Sequence, residues 1–337
     1  MRLEGHIFLL VIFAGFLASC EMQENPVKLP PKGTANISRV VTGEEYEDQV
    51  FFDFESGQAV ATNKVNSWDL SFESSATGSH VFMNGENNIY VYNTGSADIS
   101  SINSVSSLQY ISKANWKFDA PCGLPDSTGV GEWRDMAGNS KNELYILKFD
   151  KGRPSEHVYK KFMLKSVSST EYVFLFGELN SSKLDTIVIP KSPIHSFVYF
   201  SFSNGGELVN AEPPKDTWDI VFTHYRYIYR NLNDFPYLVS GVLLNAYNTT
   251  ARIDSTTAFS ELAYSNSVIT SGYSNERDVI GWTWKYYDQS NGRYTVNSAR
   301  NHIIKTRKGQ YWKMRFIDFY YPAGIKGSPT FEYERIY

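Results

Sequence analysis

Short runs in which apolar and polar residues alternate recur along most of this chain, and they are rich in aromatic and β-branched side chains. "VFFDFESG" (Val50 to Gly57), "YILKFDKG" (Tyr145 to Gly152), "VYFSFSNG" (Val198 to Gly205) and "HIIKTRKG" (His302 to Gly309) each end in Gly. A period of two sends successive side chains to opposite faces of a strand, so the pattern predicts antiparallel strands joined by tight turns. The expected fold class is all-β. "KGQYWKMRFIDFYY" and "SPTFEYERIY" read as the closing strands, with "PAGIKGSP" between them as the turn.

The same runs occur twice in the same order. Phe52, Phe54 and Gly57 fall opposite Phe200, Phe202 and Gly205, and "WDLSF" from Trp68 falls opposite "WDIVF" from Trp218. Tyr92-Asn93-Thr94 then matches Tyr247-Asn248-Thr249, "YILKFDKG" matches "HIIKTRKG", and Tyr159 and Lys161 match Tyr311 and Lys313. Five ordered matches with small drift point to an internal duplication. The prolines of "IPKSP" (Ile189 to Pro193) mark the boundary, which predicts two tandem antiparallel β-sheet domains of similar topology, 45–190 and 191–337. Alternation places Trp218, Ile220, Phe222 and His224 on one strand face and Asp219, Val221, Thr223 and Tyr225 on the other. Trp then reads as a core anchor, and Asp as a hydrogen-bonding group at a turn or strand end.

The amino terminus breaks the pattern. "MRLEGHIFLLVIFAGFLASC" holds an apolar core from Ile7 to Ala18 that is too short to span a bilayer and suits a signal peptide. It closes with Leu17-Ala18-Ser19-Cys20, the pattern of a bacterial lipobox, so residues 1–20 read as a lipoprotein signal and Cys20 as the lipidation site. Residues 21–44 are rich in Pro, Gly and polar groups and read as a flexible tether. Glu21 and Glu24 beside the lipid site resemble the surface-export signal of some lipoproteins. The expected location is the outer membrane, lipid-anchored and surface-exposed.

Composition narrows the function. Hydrophobic residues make up 42% and charged residues 20%, enough to fold, and an aromatic share of 15% suits β structure. The net charge is -4 without a Lys/Arg run, which argues against nucleic acid as a partner. With Cys20 lipidated, only Cys122 remains, so no intramolecular disulfide is expected. No G-x-S-x-G elbow, H-E-x-x-H helix, P-loop, dinucleotide fingerprint or EF-hand loop occurs, so no enzyme is expected. The six His (His6, His80, His157, His195, His224 and His302) lack zinc-site spacing, and no metal centre is expected.

From "FVYFSFSNGG" through "TWDIVF" and "VIGWTWKYY" to "HIIKTRKGQYWKMRFIDFYYPAGIKGSPTFEYERI", the second half resembles the HmuY family of haem-binding outer-membrane lipoproteins. The first half resembles it more loosely, as a divergent copy. The resemblance implies an all-β fold, a membrane anchor through lipid, haem as the captured ligand, and delivery to a TonB-dependent outer-membrane receptor. It also implies His or Met axial donors between the Trp-Asp strand and the closing strands. From Tyr225 to Asn301 this chain has neither. The haem-ligand candidates are therefore His80, Met83 and Met136 of the first half, with His224 as an outside candidate. Tyr247, Tyr264, Tyr273 and Tyr294 are further possible donors to ferric iron.

The alternative is a lipoprotein of the same fold that recognises glycan, peptide or a partner protein. In "GWTWKYY", Trp282 and Trp284 fall on one face of an expected strand, where they would stack on a planar or sugar ligand beside Tyr286 and Tyr287. A third reading is a structural accessory of an outer-membrane complex.

Overall fold

The computed structural model describes residues 35–150, 158–264, 271–322 and 324–337, so the expected signal segment and Cys20 lie outside the described residues. The chain is almost entirely antiparallel β. Its first half forms β1 (Asn36–Arg39), β2 (Asp48–Asp53), β3 (Gln58–Lys64), β4 (Leu70–Glu73) and β5 (Val81–Met83). β6 (Ile89–Asn93), β7 (Tyr145–Phe149), β8 (Val158–Val167), β9 (Glu171–Glu178) and β10 (Asp185–Pro190) follow. The second half forms β11 (Phe197–Ser201), β12 (Glu207–Val209), β13 (Ile220–Tyr229), β14 (Phe235–Leu244) and β15 (Thr250–Asp254). Then come β16 (Lys285–Asp288), β17 (Arg293–Val296), β18 (Asn301–Lys305), β19 (Tyr311–Asp318) and β20 (Thr330–Ile336).

Two five-stranded sheets have the matching orders β10-β9-β8-β7-β6 and β1-β20-β19-β18-β15. Two four-stranded sheets also match, as β12-β11-β4-β5 and β3-β2-β13-β14. Each four-stranded sheet takes one hairpin from either side of the Ile189–Pro193 connector. β11 pairs with β4, and β13 pairs with β2. Residues 35–337 accordingly cluster as one compact unit.

Alternation explains the layering. Phe52 of β2, Phe54 just after it, and Ile220 and Phe222 of β13 meet Ile304, Met314, Phe316 and Phe331 of the sheet ending in β1. Leu70, Phe72, Val81 and Phe200 meet Phe162, Phe174 and Tyr145 of the other five-stranded sheet in the same way. The second faces of the two four-stranded sheets look towards each other across a cavity of about 120 Å³, bordered by Phe51, Val221 and Leu243 on one side and Trp68, Phe82 and Tyr199 on the other. The outer layers hold the two large aromatic cores. The central layer is more polar, with buried Gln49, Ser71 and Thr223.

The Trp-Asp pair precedes its strand in both halves, so strand alternation does not govern it. Trp218 lies with Phe51 and Val221, not on the face of Ile220 and Phe222 as alternation predicts. Its ring meets Phe51 edge-on at 4.8 Å, and Trp68 meets Tyr199 likewise at 4.9 Å. Asp219 accepts the Phe54 N–H at 3.0 Å, and Asp69 accepts the Phe202 N–H at 2.8 Å. Each Asp thus terminates a strand contributed by the opposite half. In one case Arg307 completes the clasp, reaching Asp219 at 2.5 Å and Asp53 at 2.9 Å in a buried ion triad.

The buried lysines Lys161 and Lys313 also have parallel environments. Lys161 Nζ donates to Ile99 O at 2.7 Å, and Lys313 Nζ donates to Phe259 O at 2.9 Å, so each ties down the long connection between two paired strands of its sheet, β6 to β7 and β15 to β18. The tether expected to run to residue 44 ends earlier. Asn36–Arg39 pairs with β20, whose edge would otherwise carry unpaired backbone groups, and Val40 enters the core beside it.

Candidate functional site

The long hairpin β13–β14 extends beyond the strands that pair with it. β2 reaches only Phe222, whereas β13 and β14 stay paired out to Tyr229 and Phe235. The projecting part forms a wall of a cleft of about 1350 Å³. That exceeds the roughly 300–1,000 Å³ typical of small-ligand pockets. The opposite wall comes from the segment around Trp282, from β16–β17, and from the turn before β20.

Close backbone approach places that second wall. Val242 and Gly281 exchange N–H···O bonds of 2.9 and 3.0 Å. A Cβ on Gly241 would stand 2.6 Å from the Gly281 carbonyl oxygen, and Gly281 itself has φ +62°. Two glycines are therefore needed to bring Trp282 and Lys285 to the hairpin.

His224 lies in β13, 14% exposed, and lines this cleft. Its Nδ1 is 2.6 Å from Glu86 Oε2, but neither atom makes a hydrogen bond, so Glu86 lies beside the ring without fixing its tautomer. The Tyr46 ring lies 5.4 Å away. Trp282 packs edge-on against Tyr227 and Tyr229 at 5.5 and 5.8 Å, and its indole N–H is buried without a hydrogen-bond partner. Lys285, Arg293 and Lys326 bring positive charge, against Glu44 and Glu45 at the rim.

The other sequence candidates are placed differently. His80 is held by Glu73 at 2.7 Å and lines neither cavity described above. Met83 is buried in the core between the first-half sheets, and its N–H donates to Asp119 at 2.5 Å. Met136 stands fully exposed on a turn held by Asp135. The three therefore occupy three different environments. Because β5 alternates, Val81 and Met83 point into the core and His80 does not.

Trp282 and Trp284 part company as well. They sit in a turn before β16, not on one strand face. Trp284 is buried and stacks on Phe316 at 3.7 Å, which removes it from any ligand. Of the tyrosines, Tyr294 lines the cleft, whereas Tyr264 and Tyr273 pack on Tyr311 outside it. Sequence reading missed Tyr46, Tyr237 and Lys285. Only Lys285 left a trace, as a cation inside an aromatic run.

The site is therefore an aromatic cleft on an all-β scaffold, with one imidazole beside a carboxylate and charges of both signs around it. Residues 194–333, which span β11 to most of β20, match the family model described as HmuY protein. Among solved structures, an apo HmuY analogue from Tannerella forsythia aligns at 12% identity over 90% of this chain and 96% of that one, with a TM-score of 0.32. Apo PinO from Porphyromonas gingivitis aligns at 9% identity over 91% and 99%, with a TM-score of 0.26. No curated protein sequence matches the chain.

Proposed function

We propose that this protein captures haem or a related planar anionic ligand in the β13–β14 cleft, anchored through lipidated Cys20 at the outer-membrane surface and serving uptake through a TonB-dependent receptor. The observation that carries the reading is His224, an imidazole beside Glu86 on the wall of a large aromatic cleft that also carries Lys285, Arg293 and Lys326. Nε2 suits ferric iron, the rings of Trp282 and Tyr294 suit the porphyrin faces, and the cations suit its propionates. His224 therefore replaces His80, Met83 and Met136 as the preferred axial donor. The matching sheet orders and Trp-Asp clasps support reading the chain as an internal duplication.

Titration of residues 35–337 with haemin tests the proposal. A shifted Soret band in the wild type that is lost in His224→Ala is the expected result. Absence of any haem-dependent shift removes haem. In that event the unpartnered Trp282 indole N–H among tyrosine rings favours the second reading, a glycan-stacking site, which glycan-array binding checks.

A further inference from the structure

Lys285 opens β16 at the cleft, yet it is buried, with only 4% of its surface exposed. Its Nζ donates to the Ser240 carbonyl at 2.5 Å and lies 4.3 Å from the Trp284 ring centroid and 4.7 Å from that of Phe319. Among the described residues no carboxylate comes within ion-pair distance of it. An ammonium group has three donors, and a carbonyl and ring faces are poor substitutes for water. The other deeply buried lysine of this half, Lys313, differs in this respect, since Glu334 lies 3.0 Å from it.

We infer that Lys285 is the anion anchor of the cleft: it takes a carboxylate or sulfonate group of an aromatic ligand onto Nζ, and it holds that group only while protonated. The inference deepens the proposed function by naming the ligand chemistry and its regulation. A ligand anion supplies the missing counter-charge, and the surrounding rings exclude water from the pair, which strengthens it. Burial pushes the Lys285 ammonium down from its ordinary value to about 7, so the charge that holds the ligand is lost just above neutrality.

The other charged or titratable groups facing this space can be told apart. His224, Arg226 and Tyr229 come from β13, Tyr237 from β14, Tyr287 from β16, and Arg293 and Tyr294 from β17. Tyr320 and Lys326 come from the turn before β20, and Glu44, Glu45 and Tyr46 from the segment before β2. Of these, His224 is the imidazole, and the His224→Gln variant below separates it from Lys285.

The probe is the anionic fluorophore 8-anilinonaphthalene-1-sulfonate, which stays ionised throughout and has no iron to ligate. Its affinity is measured at about pH 6 and about pH 8.5 for the wild type, Lys285→Met, Lys285→Gln and His224→Gln. The wild type and His224→Gln should bind about tenfold more tightly at the lower pH, and both Lys285 variants should bind weakly and equally at both. Gln keeps a donor for Ser240 without a titrating charge, so it covers a Met variant that fails to fold. Affinity that does not change with pH in the wild type, or that keeps its pH dependence in Lys285→Gln, overturns the inference. The haemin Soret titration is read separately. A Soret shift without the Lys285 effect would uphold haem and sink the anchor, and the Lys285 effect without a Soret shift would do the reverse.

Discussion

The hairpins β13–β14 and β4–β5 hold equivalent places in their two sheets, yet one walls a large cleft and the other does not. Both follow a Trp-Asp pair and both join a four-stranded sheet next to a strand of the opposite half. β13 and β14 each run for 10 residues, whereas β4 has 4 and β5 has 3. The short hairpin ends where its sheet ends, so every inward side chain meets the aromatic core. The long one projects past β2, and beyond Phe222 the same face carries His224, Arg226 and Ile228, with Arg226 buried and bonded to the Ile89 carbonyl of β6. His224 sits at that step, and its counterpart in the first half is Ser74, which donates its hydroxyl to the Ser192 carbonyl. Strand length, more than any residue type, separates an open cleft wall from a closed core.

The largest test of the comparison separates the halves. Residues 191–337 alone lose β2 beside β13 and β4 beside β11, exposing two long strand edges. No folded monomer is expected. Sedimentation and circular dichroism should show an unfolded chain or a strand-exchanged dimer, and a stable monomer would mean that the halves fold independently.

The two clasps should differ next. Asp219→Ala leaves Arg307 buried with Asp53 alone and should cost about 3–5 kcal/mol. Asp69→Ala removes bonds from the Phe202 N–H and the Ser201 hydroxyl and should cost about 1–3 kcal/mol. Urea unfolding of both variants checks the order, and equal losses would show that the Arg307 triad adds nothing.

His224→Ala should weaken haemin binding about 10- to 100-fold with little change in melting temperature, while the combined replacement of His80, Met83 and Met136 by Ala leaves the Soret band in place. A band lost only in the triple variant would return the site to the first half.

The last test concerns the stability of the free protein. The Lys285 value in the folded state is about 7, below the ordinary lysine value of 10.5 that the unfolded chain retains. Between these values the unfolded state binds more protons, so stability rises with pH across that window and the charged lysine is a burden below it. Lys285→Met should therefore stabilise the free protein by about 1–4 kcal/mol near pH 6. The gain should shrink as pH rises from about 7 to about 10.5. Thermal melts across that range check the slope.

Much of the fold was legible because its cause is local. The alternation that fixes β2, β8, β13 and β19 depends only on which side chains avoid water, and the matching motifs revealed the matching sheets. The motifs did not reveal pairing across the connector, since "VFFDF" and "WDIVF" carry no mark of which partner each will take. The site was legible only in part. His224 and Trp282 stood out by residue type, but Tyr46, Lys285 and the loss of Trp284 to the core depend on loops brought in through Gly241 and Gly281.

The sequence by itself determined the strands, the turns, the repeated motifs and the need for aromatic cores, since each follows from the period-two pattern and from residue chemistry. Only the tertiary structure decided that each Asp of the Trp-Asp pairs caps a strand of the other half, that one hairpin outruns its sheet, and that Lys285 is buried without a counter-ion. Those outcomes depend on packing between separate segments, where a side chain's role is set by the neighbours that the fold brings to it and not by its own position in the pattern.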